Sequence, residues 1–478
     1  MAYIRKGKVQ IMNNRGSITI FFSMILMVVI SVVCAALEAA RYSCVSCILS
    51  MTSDSVADSV FAGYDRQLWD KYRLLFYPYP DMMAASAEEY ADSYFGFNLE
   101  SPLVNVWGIK DVSVSIDNKI SVYDNGGLPF LDSVSAYMRS NSIEIKPEEY
   151  ERSEEIVKAA MQIGEEFEDL MNGSKQELID LLSRLSDSNI TIQDLENNNK
   201  VIECLNKSAF SEIISFSSLS ANEINSSGLS SGIFDKYNKV LQYTDQDFEF
   251  LYQYIDMFLN SYTCFEPDNS ELIYEQEYVL YGMASDKENL EETINQLIKL
   301  REGINYSSIC GSKELMTKAY CAAEGFVHNM HDIEAAVKLI CILWTYAESV
   351  NDVKGLINGG FLLLEKGSDD WNIDVNDALT GNWDQELKGE GLNYQEYLQL
   401  LFRLQAKDDV CLRVMDIIDS NMRISEKDFL LANCIYNANL KLDFDVESKF
   451  ILISAIKSIS GKAIKEYKIT KSCNGGYA

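Results

Sequence analysis

Hydrophobic positions are distributed unevenly along this chain. From Ser17 to Leu37 stand 21 consecutive uncharged residues, SITIFFSMILMVVISVVCAAL, bracketed by Arg15 and Glu38. At about 1.5 Å per residue a helix of that length spans roughly 30 Å, the hydrocarbon thickness of a bilayer. Core helices this long are normally amphipathic, so the pattern predicts a transmembrane helix. Past Glu38 the apolar residues take helical spacing: Val45, Ile48, Leu49 and Val56, then Val60, Phe61, Tyr64 and Leu68. They predict one long helix from Ile18 to about Leu74, ended before Pro78 and Pro80.

The period then changes. Val112, Val114 and Ile116 alternate with polar residues, Asp117-Asn118 offers a turn, and Ile120 and Val122 alternate again, which predicts a hairpin. A helix follows around Leu131–Met138, and residues 147–200 read as a charged helix. From 186 to 231 the composition turns to Ser and Asn, the pattern of a flexible insertion. Helical spacing returns at 245–262, 286–303, 311–326, 332–350, 393–406 and 408–422. LKLDFDVES and AIKEYKITKS recover alternation near the end and predict one or two terminal strands that rejoin the hairpin. The fold class is therefore α+β and predominantly α-helical: a long N-terminal transmembrane helix continues into an external domain with a small antiparallel sheet. The expected organisation is a basic cytoplasmic tail (1–15), a transmembrane helix (16–40), a helix-plus-hairpin region (41–140), a helical region holding the insertion (141–244) and a helical C-terminal region (245–478).

Charge fixes the expected orientation. The first 15 residues hold Arg5, Lys6, Lys8 and Arg15 and no acid, so the positive-inside rule places the N-terminus in the cytoplasm and the bulk of the chain outside a cell membrane crossed once. The remaining chain carries 37 basic against 72 acidic residues, about −35. Such a surface repels phosphate backbones, which argues against a nucleic-acid partner. Glu38 and Arg41, at i and i+3, can pair where the helix leaves the lipid. Ala35, Ala36, Ala39 and Ala40 would also suit a signal peptidase, so cleavage stays open.

Candidate chemistry is sparse. The 11 cysteines show no second ligand pair for Cys44-x-x-Cys47, and those two read as small packing residues on one helix face. The 2 histidines, His328 and His331, stand three residues apart in HNMH and are weak candidates for a metal with Cys321 or Asp332. Neither a phosphate-cradling loop nor H-E-x-x-H occurs, so no cofactor, metal or catalytic residue is predicted. Arg301 and Glu348 lie in otherwise apolar stretches and are candidates for a buried pair and for lining a ligand groove. Tyr278, Tyr281, Tyr394 and Tyr397 sit at helical spacing and suit packing at the edge of a core.

Several segments carry a resemblance: RGSITIFFSMILMVVISVVCAALEAARY with DSVFAGYDRQLWDKYRLLFY, then EQEYVLYGMASDKENLEETINQLIKLREGIN, WTYAESVNDVKGLINGG, and GLNYQEYLQLLFRL with VMDIIDSNMR. Together they resemble an uncharacterised membrane-protein family of Clostridia-like Gram-positive bacteria, whose members tend to be encoded beside Tad-type pilus and secretion genes. The opening also looks like the pilin-like TadE and TadG proteins. Pilin precursors are cut after Gly with Glu at the fifth residue beyond; here Gly16 is followed at that place by Phe21, a departure that puts such processing in doubt. The resemblance implies a non-enzymatic envelope protein, an accessory or structural part of a Tad-like apparatus whose partners are the bilayer and other apparatus proteins. Ser23, Ser31, Ala35 and Ala36 would let transmembrane helices approach closely. The alternatives are an extracellular receptor or adhesin for a cation, glycan or protein, and a membrane-tethered hydrolase.

Overall fold

The computed structural model describes residues 15–95, 107–141, 147–186, 200–206, 208–214, 219–225, 244–265, 270–324, 330–387, 389–450 and 466–477. Helices in the first third are α1 (Arg15–Phe61), α2 (Arg66–Tyr72), α3 (Met83–Phe95), α4 (Leu128–Ser140) and α5 (Pro147–Ser186). The middle holds α6 (Ala209–Ile213), α7 (Asp245–Phe258), α8 (Glu275–Tyr281), α9 (Asp286–Gly311) and α10 (Lys313–Glu324). Then come α11 (Met330–Ile357), α12 (Val375–Thr380), α13 (Tyr394–Phe402) and α14 (Lys407–Ser425). The strands are β1 (Ile109–Ser121), β2 (Ile435–Glu447) and β3 (Glu466–Gly476), in one antiparallel sheet of order β1-β2-β3. The chain is α+β and mostly helical, as its patterning predicts, and it divides into two compact units.

The first unit joins residues 1–65 and 75–121 to the C-terminal 433–478. Its α1 has 47 residues, about 70 Å of helix, and two unlike halves. From Ile18 to Leu37 the large apolar side chains stand exposed on all sides, and the helix is long and apolar enough to cross a membrane. From Glu38 onward one stripe is buried: Glu38, Arg41, Val45, Leu49, Val56, Val60 and Phe61. That stripe lies along β3, which runs in the same direction. Lys471 Nζ donates to Ser46 Oγ at 2.9 Å, Cys473 Sγ to Ser53 O at 3.3 Å, and Tyr477 OH to Phe61 O at 2.6 Å. A Cβ on Gly475 would lie 2.6 Å from the Phe61 ring, so only glycine lets the helix end close on the strand. In β2, Ala438, Leu440, Leu442, Phe444 and Val446 all point into this core, while Asp443 and Asn439 on the other face bond Thr470 and Ser472. This is the one-sided alternation of an antiparallel sheet with a single covered face.

Three local expectations are corrected. The long helix stops at Phe61, not near Leu74; the chain turns at Gly63 and restarts as α2. The expected 112–122 hairpin is one continuous strand. Asn118 adopts φ +51° at a bulge, and β1 finds its partner in β2. A single αL residue satisfies Asn-rich turn chemistry and a bulge equally well, so local sequence does not separate them. Cys44 and Cys47 are exposed rather than packed, because the buried stripe runs through Val45 and Leu49.

The second unit, residues 66–74 and 122–432, is helical. Within it, α5 crosses α9 closely. A Cβ on Gly303 would come within 1.8 Å of Ala160 O, and one on Gly164 within 2.2 Å of Lys299 O. The described parts of the Ser/Asn-rich stretch pack here rather than loop outward: Phe210, Ile213 and Ile224 are buried, and Ile224 N donates to Ala284 O at 2.9 Å.

Candidate functional site

In the first unit the polar chemistry gathers where the apolar run of α1 ends. Arg41 Nη2 donates to Glu38 Oε1 at 2.5 Å, to Glu447 O at 2.6 Å and to Tyr467 OH at 2.8 Å. Its Nη1 donates to Trp107 O at 2.5 Å. Glu38 Oε2 accepts from the backbone N–H groups of Phe450 at 2.9 Å and Lys449 at 3.2 Å. One i,i+3 pair thus holds the start of β1, the end of β2 and the start of β3 to α1. A planar guanidinium with its fork of donors suits this task as an ammonium would not. Gly108, at φ +71°, is required here because a Cβ would meet Glu447 O at 2.8 Å.

Along the exposed half of α1, Ser23 Oγ donates to Ile20 O at 2.7 Å and Ser31 Oγ to Met27 O at 2.8 Å. Both hydroxyl protons are satisfied inside the helix, which suits an apolar surrounding. Ala35 and Ala36 are exposed, Ala35 one turn beyond Ser31.

The second unit buries a four-charge network. Asp352 Oδ2 receives Arg301 Nε at 3.0 Å and Asn305 Nδ2 at 3.0 Å, and Asp352 Oδ1 receives Lys366 Nζ. Lys366 Nζ also reaches Glu348 Oε1 at 2.5 Å, and Glu348 accepts from the N–H groups of Asn372 at 2.9 Å and Ile373 at 2.8 Å. Arg301 further donates to Leu363 O, Leu364 O and Tyr397 OH. Burial pushes the Asp352 carboxyl up, but the Lys366 and Arg301 charges together hold it below the ordinary carboxylate range. Burial and the Asp352 charge push Glu348 up. The expected Arg301–Glu348 pair is thus corrected: Arg301 pairs with Asp352 and Glu348 with Lys366. Nor do Arg301 and Glu348 line a groove, since both are fully buried and their polar atoms are occupied. Sequence reasoning missed Asp352 and Lys366. The available signal was Asp352 one turn after Glu348 within the apolar α11.

Glu275, Glu277 and Glu302 are among the other carboxyls buried in this unit. Glu275 accepts from Asn260 N at 2.7 Å and Asn421 Nδ2 at 2.6 Å; Glu277 accepts from Tyr394 OH at 2.7 Å and Tyr262 N at 2.9 Å. Burial pushes both up to about 7. Glu302 is pushed up to about 8 by burial and by the charge of Glu168, with Lys299 opposing. It borders a cleft of about 460 Å³, lined also by Asn172, Lys175, Gln296, Lys299 and Tyr346.

His328 lies outside the described residues, and His331 falls in the first turn of α11, where only the backbone is described. Among the described residues no group of three or more His, Cys, Asp or Glu is placed to hold a metal ion.

Residues 185–446, more than half of the chain, match DUF5702, a family of unknown function. The chain belongs to that family. The DUF5702 stretch contains the buried charge network and β2 up to Val446, and it includes the Ser/Asn-rich segment; α1, α5 up to Arg184 and β3 lie outside it. No curated protein and no solved structure matches the chain.

Proposed function

We propose that the protein is a non-enzymatic envelope protein anchored by α1, with its N-terminus in the cytoplasm, its bulk outside, and a role as an accessory or structural component of a Tad-like pilus or secretion apparatus. The observation that carries the reading is the division of α1: none of the twenty residues from Ile18 to Leu37 is buried, and one stripe of the rest is packed into a folded core. Their length, about 30 Å of helix, is that of a bilayer's hydrocarbon. The orientation rests on Arg5, Lys6, Lys8 and Arg15. Retention of the helix is favoured by Glu38 and Arg41, because cleavage after Ala40 would strip the clamp of its carboxylate. A structural role is favoured by the buried acids, which bond backbone amides, cations and hydroxyls of their own unit. The association with a Tad-like apparatus rests on the resemblance of the opening to pilin-like proteins.

Assembly through the bilayer predicts that Ser31→Leu with Ala35→Leu weakens co-isolation of membrane partners while the external units stay folded. Affinity isolation of intact protein from membranes, with identification of what accompanies it, tests this; unchanged recovery of partners would refute assembly through that face. A receptor or adhesin is the second reading, favoured by the cleft of about 460 Å³ whose lining mixes amides, lysines and acids.

A further inference from the structure

We propose that the end of the sheet beside Glu38 and Arg41 is a lipid-headgroup contact surface, a collar of Tyr42, Trp107, Phe450 and Tyr467 with Lys110 and Lys449, resting on the bilayer that α1 enters. This deepens the membrane reading above and rests on it. The level of the collar follows from its bonds. Trp107 and Tyr467 are held by the Arg41 guanidinium, Lys449 and Phe450 by the Glu38 carboxylate, and the Tyr42 and Tyr467 rings lie 5.4 Å apart. Tyr42 lies five residues past Leu37, a rise of about 7.5 Å beyond the hydrocarbon. A headgroup layer is roughly 5–7.5 Å deep on each side of a bilayer. The collar therefore stands at headgroup depth, where amphipathic aromatic rings concentrate.

Exposure and charge point the same way. Tyr42 and Phe450 are 44% and 43% exposed, large apolar surfaces without cover at the foot of a folded unit. Lys110 is paired with Glu466 and Lys449 with Glu447, so with Glu38 and Arg41 the collar is balanced in charge, against about −35 for the chain beyond the first 15 residues. A balanced aromatic rim can meet phosphate headgroups that the rest of the external chain repels.

The test places a benzophenone amino acid at Phe450, at Phe21 or at Tyr94 in the full chain, reconstituted in vesicles of phosphatidylglycerol and phosphatidylethanolamine. Phe21 stands in the apolar run. Tyr94 OH bonds Ser59 Oγ at 3.0 Å, a level about 33 Å beyond Leu37 along α1. Illumination is expected to give lipid adducts at Phe21 and Phe450 and none at Tyr94. Adducts at Phe21 without any at Phe450 would overturn the collar and leave the anchor standing. Protein adducts in place of lipid at Phe450 would make it a protein interface and equally overturn it. No adduct at Phe21 would overturn the collar together with the membrane reading beneath it.

Discussion

Asp352→Asn should destabilise the helical unit by about 3–5 kcal/mol, the measured range for a buried ion pair that loses one partner. Asp352 and Glu348 are wholly buried and balance Arg301 and Lys366, which are equally removed from water. The substitution leaves two cations facing the single carboxylate of Glu348. At an effective dielectric near 20, each charge contact at 3–4 Å is worth on the order of 4–5 kcal/mol before desolvation is counted. Some of that loss is offset because Arg301 keeps Leu363 O, Leu364 O and Tyr397 OH. The assay is urea unfolding of detergent-solubilised protein followed by tryptophan fluorescence. Four of the five tryptophans, Trp69, Trp344, Trp371 and Trp383, lie in this unit, and Trp344 packs 4.9 Å from Trp371 beside the network. With a slope of about 3 kcal/mol per molar urea, the midpoint should fall by roughly 1–2 M. Adding Lys366→Met restores neutrality and should recover part of the loss. A loss under about 1 kcal/mol, or no recovery in the double variant, would refute the network as drawn.

Stability of the same unit should fall as pH rises from about 5 to 8. Glu275, Glu277 and Glu302 have folded pKa values raised to about 7, 7 and 8, so the folded state binds more protons in that window and the stabilisation present below the unfolded value is lost as pH climbs. Glu302→Gln should flatten this dependence and raise stability at pH 8 by at least about 1 kcal/mol; an unchanged profile would refute it. Asp352 works in the opposite sense, with its lowered pKa costing stability only in strong acid. Gly303→Ala should cost about 3 kcal/mol or more in thermal or urea unfolding, because its Cβ cannot share space with Ala160 O 1.8 Å away; an unchanged midpoint would show that α5 and α9 can separate freely.

Much of the architecture was legible because its signals are local. A run of uncharged residues marks α1 whatever lies around it, and the alternation in LKLDFDV marks β2. The Asn118 bulge was misread because the partner of β1 arrives only at residue 435, and nothing near position 118 announces it. The end of α1 was overshot because Tyr64 and Leu68 keep the helical period across the break at Gly63. In the charge network, Arg301 and Glu348 were recognisable as charges in apolar surroundings. Their true partners were not, since choosing Asp352 over Glu348 depends on how α9 meets α11, and Lys366 sits in the tract LEKGSDDWN that reads only as a break. The clamp residues Trp107, Glu447 and Tyr467 contribute mostly backbone oxygens, which no side-chain pattern reveals.

The membrane topology is set by which side of the bilayer the two ends of α1 occupy. The direct measurement is cysteine labelling of intact cells with a membrane-impermeant maleimide, using the full chain with its native cysteines replaced and a single cysteine introduced as Gln10→Cys or Tyr150→Cys. Position 150 is expected to be labelled on intact cells and position 10 only after permeabilisation. Labelling at position 10 but not at 150 would contradict it.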